Sequence, residues 1–195
     1  MNRHAGFSVI ELMIAIVLMG VLLTMGLPAF NTYLNNVKLR TAAQSFLAGI
    51  QTARGEAIRR NANVDFVLTN DDVSGPNFDT VTPLATGQNW LIRTSDLATY
   101  VEGKSGAEGG GRSTGESSPV LVNGGASTIT FNGLGATTLG ASTTFQFSNP
   151  SGGLCASAGG PMRCLNVVIS PGGQSRICDP AVTPAQTAAG DTRGC

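Results

Sequence analysis

Charge is scarce in this sequence. Charged side chains make up 12 % of its 195 residues, against about 25 % in an average soluble domain. The 12 basic and 12 acidic side chains also cancel. A formal charge of zero excludes the overall cationic excess of nucleic-acid coats and polybasic membrane binders, so any such activity has to be local. Histidine is all but missing: His4 stands alone near the start, which leaves the rest of the chain without the commonest general base and a common zinc ligand. No CxxC spacing occurs among Cys155, Cys164, Cys178 and Cys195, which argues against a zinc ribbon or a thioredoxin-type site. An even set of cysteines confined to the last quarter reads instead as disulfides formed outside the cytoplasm. Three pairings are open in principle. Closure between sequence neighbours, Cys155 to Cys164 and Cys178 to Cys195, makes two compact loops and pins the C-terminal segment. The second loop is worth about 3 kcal/mol on the chain-entropy estimate.

What the chain has instead is glycine, 26 residues of it, and one long apolar run. Phe7 to Phe30 carries a single charge, Glu11. As a helix this run reaches about 36 Å, enough to cross a hydrocarbon core of about 30 Å. A secretory signal peptide has a shorter apolar core of about 7–15 residues and a small-residue cleavage site, and neither feature is present. An ordinary anchor leaves Glu11 unexplained, because a charge placed centrally in a membrane helix costs about 2.5–3.5 kcal/mol on insertion scales. Such a charge calls for a partner. Pro28 lacks an amide hydrogen and predicts a kink or local melting.

Beyond it, Leu39, Ala43, Phe46, Ile50, Ala53 and Ala57 recur in alternating steps of four and three, which places them on one helix face that packs on the rest of the molecule. Over residues 31–60 the charges are Lys38, Arg40, Arg54, Arg59 and Arg60 against Glu56, a basic surface that is either a solvated face or a contact for phosphates or acidic neighbours. From Phe7 to Arg60 a continuous helix measures about 81 Å, longer than a globular domain needs. The fold class expected is α+β, a long N-terminal helix packed on an antiparallel β head.

From Asn61 the period changes. Val64, Phe66 and Leu68 alternate with Asp65, Val67 and Thr69, and strand-like runs recur at Trp90 to Arg93, Val120 to Val122, Thr128 to Phe131, Thr143 to Phe147, Leu165 to Ile169 and Ser175 to Cys178. Trp90, the single tryptophan, is expected as a core anchor. Gly103 to Ser118 is polar and low in complexity and predicts a loop. Residues 61–118 hold Arg93, Lys104 and Arg112 against Asp65, Asp71, Asp72, Asp79, Asp96, Glu102, Glu108 and Glu116, an acidic half suited to the basic stalk of a neighbour.

The opening MNRHAG followed by FSVIEL resembles the type III signal of type IV pilins and type II secretion pseudopilins. LRTAAQSFLAGIQTARGEAIRRN, TFNGLGA, SRICDP and GDTRGC resemble the FimT/FimU group of minor pilins, whose head is GspH-like. The resemblance implies cleavage between Gly6 and Phe7 by the prepilin peptidase, N-methylation of Phe7, and a role for Glu11 in filament assembly. In a filament core of low dielectric, Glu11 would neutralise the new ammonium of a neighbouring subunit's Phe7, so the charge selects register. The implied organisation is a leader at 1–6, a transmembrane and polymerisation helix at 7–30, an amphipathic stalk helix at 31–60, and a β-rich head at 61–195 with a Gly-rich loop at 103–118. The implied partners are major and minor pilins, the prepilin peptidase and the inner-membrane assembly platform. The implied location is a single pass of the inner membrane with a periplasmic head, then a pilus or pseudopilus. No cofactor is implied.

Three functions fit such a chain: a minor pilin that initiates or caps a type IV pilus, a minor pilin that binds double-stranded DNA for uptake, and a type II secretion pseudopilin. DNA-uptake members carry Gly-Arg-x-Arg near the C-terminus. Here that place reads Gly173-Gln174-Ser175-Arg176, so only Arg176 transfers, with Arg163 and Arg193 as further candidates once the tail folds back. One missing cation weakens phosphate binding, because affinity rises with the number of phosphates neutralised.

Catalytic and metal motifs fail on context. Gly111-Arg112-Ser113-Thr114-Gly115 has the G-x-S-x-G spacing but no histidine base. Gly103-Lys104-Ser105 lacks the upstream glycine of a phosphate loop. Asp71, Asp72 and Asp79 lack EF-hand spacing. The chain is therefore expected to hold no metal and to be no enzyme.

Overall fold

The computed structural model describes residues 8–73, 75–106 and 120–195, with the side chains of 25–29 left aside. Helix α1 runs from Val9 to Arg60 over 52 residues, about 78 Å at the rise of an α-helix. Its helical assignment passes through Pro28 without interruption, so the local melting expected there does not occur. Asn61 ends the helix in the left-handed conformation at φ 49°, which asparagine tolerates better than most residues. Glu56 pairs with Arg59 and Arg60 in the last turns, and those cations complement the negative end of the helix dipole.

The head carries β1 (Val64–Thr69), β2 (Asn89–Thr94), β3 (Tyr100–Lys104), β4 (Leu121–Gly124), β5 (Thr128–Phe131), β6 (Thr143–Ser148), β7 (Leu165–Ile169), β8 (Ser175–Cys178) and a short helix α2 (Pro184–Ala188). They form two four-stranded sheets of order β3-β2-β1-β5 and β4-β6-β7-β8, and every pairing is antiparallel. The chain is α+β.

The stripe Leu39, Ala43, Phe46, Ile50, Ala53 and Ala57 is 0–1 % exposed and packs on both sheets. Phe46 sits at the junction, with ring centroids 4.9 Å from Phe66 of the first sheet and 5.0 Å and 5.3 Å from Phe145 and Phe147 of the second. Trp90 is buried and stacks on Phe66 at 5.3 Å. A Cβ at Gly49 would stand 2.8 Å from the Trp90 ring, so the helix approaches β2 closely because that residue has no side chain.

The outer face of β1 is covered as well: Val67 joins Val73, Val81, Leu91 and Tyr100 in a second core beneath the 70–88 excursion. That excursion is tied down by Leu84 N–H to Leu68 O at 2.8 Å, Thr82 N–H to the Asp71 carboxylate at 2.6 Å and Tyr100 O–H to Val73 O at 2.9 Å. The segment expected as a loop from Gly103 begins inside β3, since Gly103 and Lys104 pair with Leu91 and Trp90. A Cβ at Gly103 would lie 2.4 Å from Val73 O, so this glycine is there for the close approach of the excursion. Residues 107–119 lie outside the description.

Candidate functional site: an apolar helix and a basic groove

Two places on the molecule are not accounted for by the fold. The first is the N-terminal half of α1. From Val9 to Thr24 every residue is exposed, including Leu12 at 58 %, Leu18 at 58 % and Leu22 at 71 %. Glu11 lies in the first turn, where the helix dipole favours a carboxylate. Its carboxylate accepts no hydrogen bond and forms no ion pair among the described residues. Gly6 and Phe7, the expected processing pair, lie outside the described residues. Among those residues no helix is long and apolar enough to cross a membrane. The side chains of 25–29 within the apolar run are left aside, so a span over 7–30 stands on the sequence.

The second place is the base of the head. Cys155 is bridged to Cys164 and Cys178 to Cys195, with Cα separations of 5.3 Å and 5.1 Å. The first disulfide loop is fastened to α1. Arg163 N–H donates to Asn36 Oδ1 at 2.7 Å, and Asn149, itself buried, donates to Asn35 Oδ1 at 3.4 Å. The second bridge holds the tail along β8, with Asp179 N–H donating to Arg193 O at 2.7 Å. Between tail, loop and helix lies a groove of about 530 Å³. Tyr33, Asn36, Val37, Arg40 and Gln44 form its helical wall, Leu165 and Ile177 line the side formed by β7 and β8, and Arg163, Asp179, Thr192 and Arg193 complete it.

Arg163 and Arg193 are thus brought together, and Arg40 joins them. Arg176 is not part of the groove lining. Its guanidinium donates to Gly194 O at 2.9 Å and Cys195 O at 3.1 Å, so it clamps the tail. Arg193 makes a bidentate pair with Asp191 at 3.0 Å and 2.7 Å. These bonds hold the Asp191 carboxyl well below its ordinary range, at about 2. Arg40 and Arg163 have no side-chain partner among the described residues. Gly173, at the place of the DNA-uptake motif, has φ +76°, and its Cβ would fall 2.0 Å from Gly135 O. That glycine seats the β7–β8 turn on the Asn132–Ala136 turn, where Arg54 also donates to Gly135 O at 3.0 Å. Sequence reasoning missed Tyr33 and Arg40 as groove residues. The available signal was their place with Asn36, Val37 and Gln44 on a helix face beside the buried stripe.

No group of acidic, cysteine or histidine side chains that could hold a metal occurs among the described residues. Asp71 is engaged with Thr82 N–H.

The molecule is thus a long helix, apolar and uncovered by the described residues at one end and packed on an antiparallel head at the other. Residues 42–173 match the family of the type II transport protein GspH, and residues 1–27 match the prokaryotic N-terminal methylation motif. The chain belongs to the GspH family. No curated protein matches it. Two crystal forms of the type IV minor pilin FimU of Pseudomonas aeruginosa strain PAO1 are similar in structure, each with a TM-score of 0.48. They are 14 % and 16 % identical, and the match covers 71 % of this chain and 90 % and 87 % of theirs.

Proposed function

We propose that the chain is a non-catalytic minor pilin that initiates or caps a type IV pilus. In this reading the prepilin peptidase cuts between Gly6 and Phe7, Phe7 is N-methylated, and the 7–30 helix holds the subunit in the inner membrane with its head in the periplasm. The assembly platform then moves it into a bundle with other pilins. The observation that carries the reading is the apolar surface from Val9 to Thr24, exposed throughout, with Glu11 in its first turn and without a partner among the described residues. Such a surface has no covering among the described residues, and lipid before assembly and other pilin helices after it would supply one. Glu11 would choose the register by pairing with a neighbour's N-terminal ammonium.

A second reading is favoured by the family match: a GspH-type pseudopilin of type II secretion uses the same helix chemistry. The DNA-uptake reading gains less, because Arg176 is engaged with the tail carbonyls. The deciding experiment scores Glu11→Ala in cells for membrane insertion, for piliation and for protein secretion. Retained insertion with lost piliation is expected. Normal piliation overturns the minor-pilin role, and a defect confined to secretion moves the chain to the pseudopilin reading.

A further inference from the structure

The groove at the base of the head holds more positive charge than its own acids offset. It is lined by three arginines against one aspartate, beside the apolar Val37, Leu165 and Ile177. Arg193 is held by Asp191, and the Asp179 carboxylate accepts Ala181 N–H at 2.8 Å. Arg40 and Arg163 are exposed and have no side-chain partner among the described residues. Two such guanidiniums beside an apolar wall suit a phosphate carried on an apolar body.

The level of the groove along α1 selects which phosphate. The apolar run ends at Phe30, and Asn31 follows it. At the rise of an α-helix Tyr33 stands about 5 Å beyond Phe30, Asn36 about 9 Å and Arg40 about 15 Å. The headgroup layer of a bilayer extends about 5–8 Å beyond the hydrocarbon on each side. Tyr33, which is exposed, falls within that layer, where tyrosine is favoured. Arg163 is fastened at the level of Asn36 by its N–H bond to that side chain, and the stem of an arginine is long enough to carry its guanidinium down to the phosphates. Helical side chains lean toward the N-terminus of their helix, so Arg40 is tilted toward the same layer. The loop that ends at Arg163 is tied at its start to Asn35 through Asn149 and exposes Leu154.

We infer that the groove lined by Arg40 and Arg163 holds the phosphate headgroup of an anionic phospholipid in the leaflet beneath the head. The inference deepens the pilin reading and rests on its membrane-inserted state. The groove lies on one flank of α1, between the helix and β7 and β8, so a lipid held there fixes how the head is turned about its helix before assembly. Double-stranded DNA fits the groove less well, because its affinity depends on the number of phosphates neutralised and both Arg176 and Arg193 are engaged.

The test places the full chain in nanodiscs of equal phosphatidylcholine and phosphatidylglycerol, and native mass spectrometry counts the lipids that stay bound after gentle detergent release. Wild type should retain phosphatidylglycerol over phosphatidylcholine by about tenfold, the scale set by two arginines near an anionic surface. Arg40→Gln with Arg163→Gln should bring the ratio close to one at an unchanged melting temperature, whereas Arg40→Lys with Arg163→Lys, which keeps the charge, should retain most of the preference. Arg59→Gln, about 28 Å farther along the helix than Arg40, should leave the ratio alone. No preference in wild type, a preference that survives the glutamine pair, its loss in the lysine pair, or an equal loss from Arg59→Gln overturns the site. Binding of a short DNA duplex that the glutamine pair abolishes while the lipid ratio is untouched also overturns it, in favour of a nucleic-acid site. Carbonate extraction of cell membranes separates this failure from that of the underlying reading. A chain stripped by carbonate was never inserted and loses both, whereas a chain that resists carbonate but shows no lipid preference loses this site alone.

Discussion

The two halves of α1 are both rich in apolar residues, and they end in opposite surroundings. Between Val9 and Leu23, twelve large hydrophobic side chains are at least half exposed, whereas Leu39, Phe46 and Ile50 are at most 1 % exposed. The difference is one of pattern. The upper half repeats its buried apolar residues in steps of three and four, so one face finds the sheets while Arg40 and Arg59 on others stay in water. The lower half is apolar all round, and a helix of that kind belongs in a membrane or in the core of a larger body. A free soluble monomer rarely leaves so large a contiguous apolar surface open. The upper half therefore makes the fold, and the lower half is left uncovered by it.

The sharpest way to break that distinction is to truncate one large side chain in each half. Phe46→Ala removes a ring that touches both sheets and should cost about 3–5 kcal/mol of head stability. Leu18→Ala, at a position 58 % exposed, should leave the head's unfolding midpoint where it is. Chemical denaturation of the full chain in detergent, followed by Trp90 fluorescence, reads both. A comparable loss from Leu18→Ala would mean that the lower half folds back on the head.

A smaller effect is expected at the base of the head, where a covalent bond takes the place of packing. The tail from Asp179 onward is held by its bridge to Cys178 across 17 residues, by Asp179 N–H to Arg193 O and by Arg176. Cys178→Ser with Cys195→Ser should destabilise the protein by about 3 kcal/mol on the chain-entropy estimate. It should speed hydrogen exchange in the tail ahead of β5 and β6. Uniform loss of protection across the head would show instead that the tail belongs to the cooperative core.

These contrasts also mark what could be read before the structure. The buried stripe of α1 was legible because its period is local. Seven of the eight strands were legible for the same reason. β3 was not, because Tyr100–Lys104 does not alternate cleanly and is held by long-range partners: Phe78 against Tyr100 at 5.8 Å, and Tyr100 O–H on Val73 O. The groove was legible only in part. Arg163 and Arg193 stood out beside cysteines, but their meeting with Arg40 depends on a hydrogen bond from Arg163 N–H to Asn36, 127 residues away in sequence. The engagement of Arg176 could not be foreseen, since its acceptors are backbone carbonyls.

The smallest effect tests the electrostatic end of the upper half. Glu56 accepts from Arg59 and Arg60, and those hydrogen bonds lower its carboxyl from an ordinary 4.5 to about 2. A carboxyl whose folded value is depressed adds stability that is complete above its unfolded value and fades as the pH falls through the folded one. The contribution is thus full above pH 4.5 and disappears as the pH approaches about 2. Both pairs lie at the surface, with Arg59 63 % exposed, and exposed i,i+4 pairs are worth about 0.3–0.5 kcal/mol. Glu56→Gln should therefore lower the melting temperature slightly at neutral pH, and the difference from wild type should close as the pH is brought down from 4.5 to 2. Added salt should shrink the same difference at neutral pH. A gap that persists at pH 2 would assign Glu56 a packing role at the end of α1, and the charge pairs there would then add nothing to the half of the helix that makes the fold.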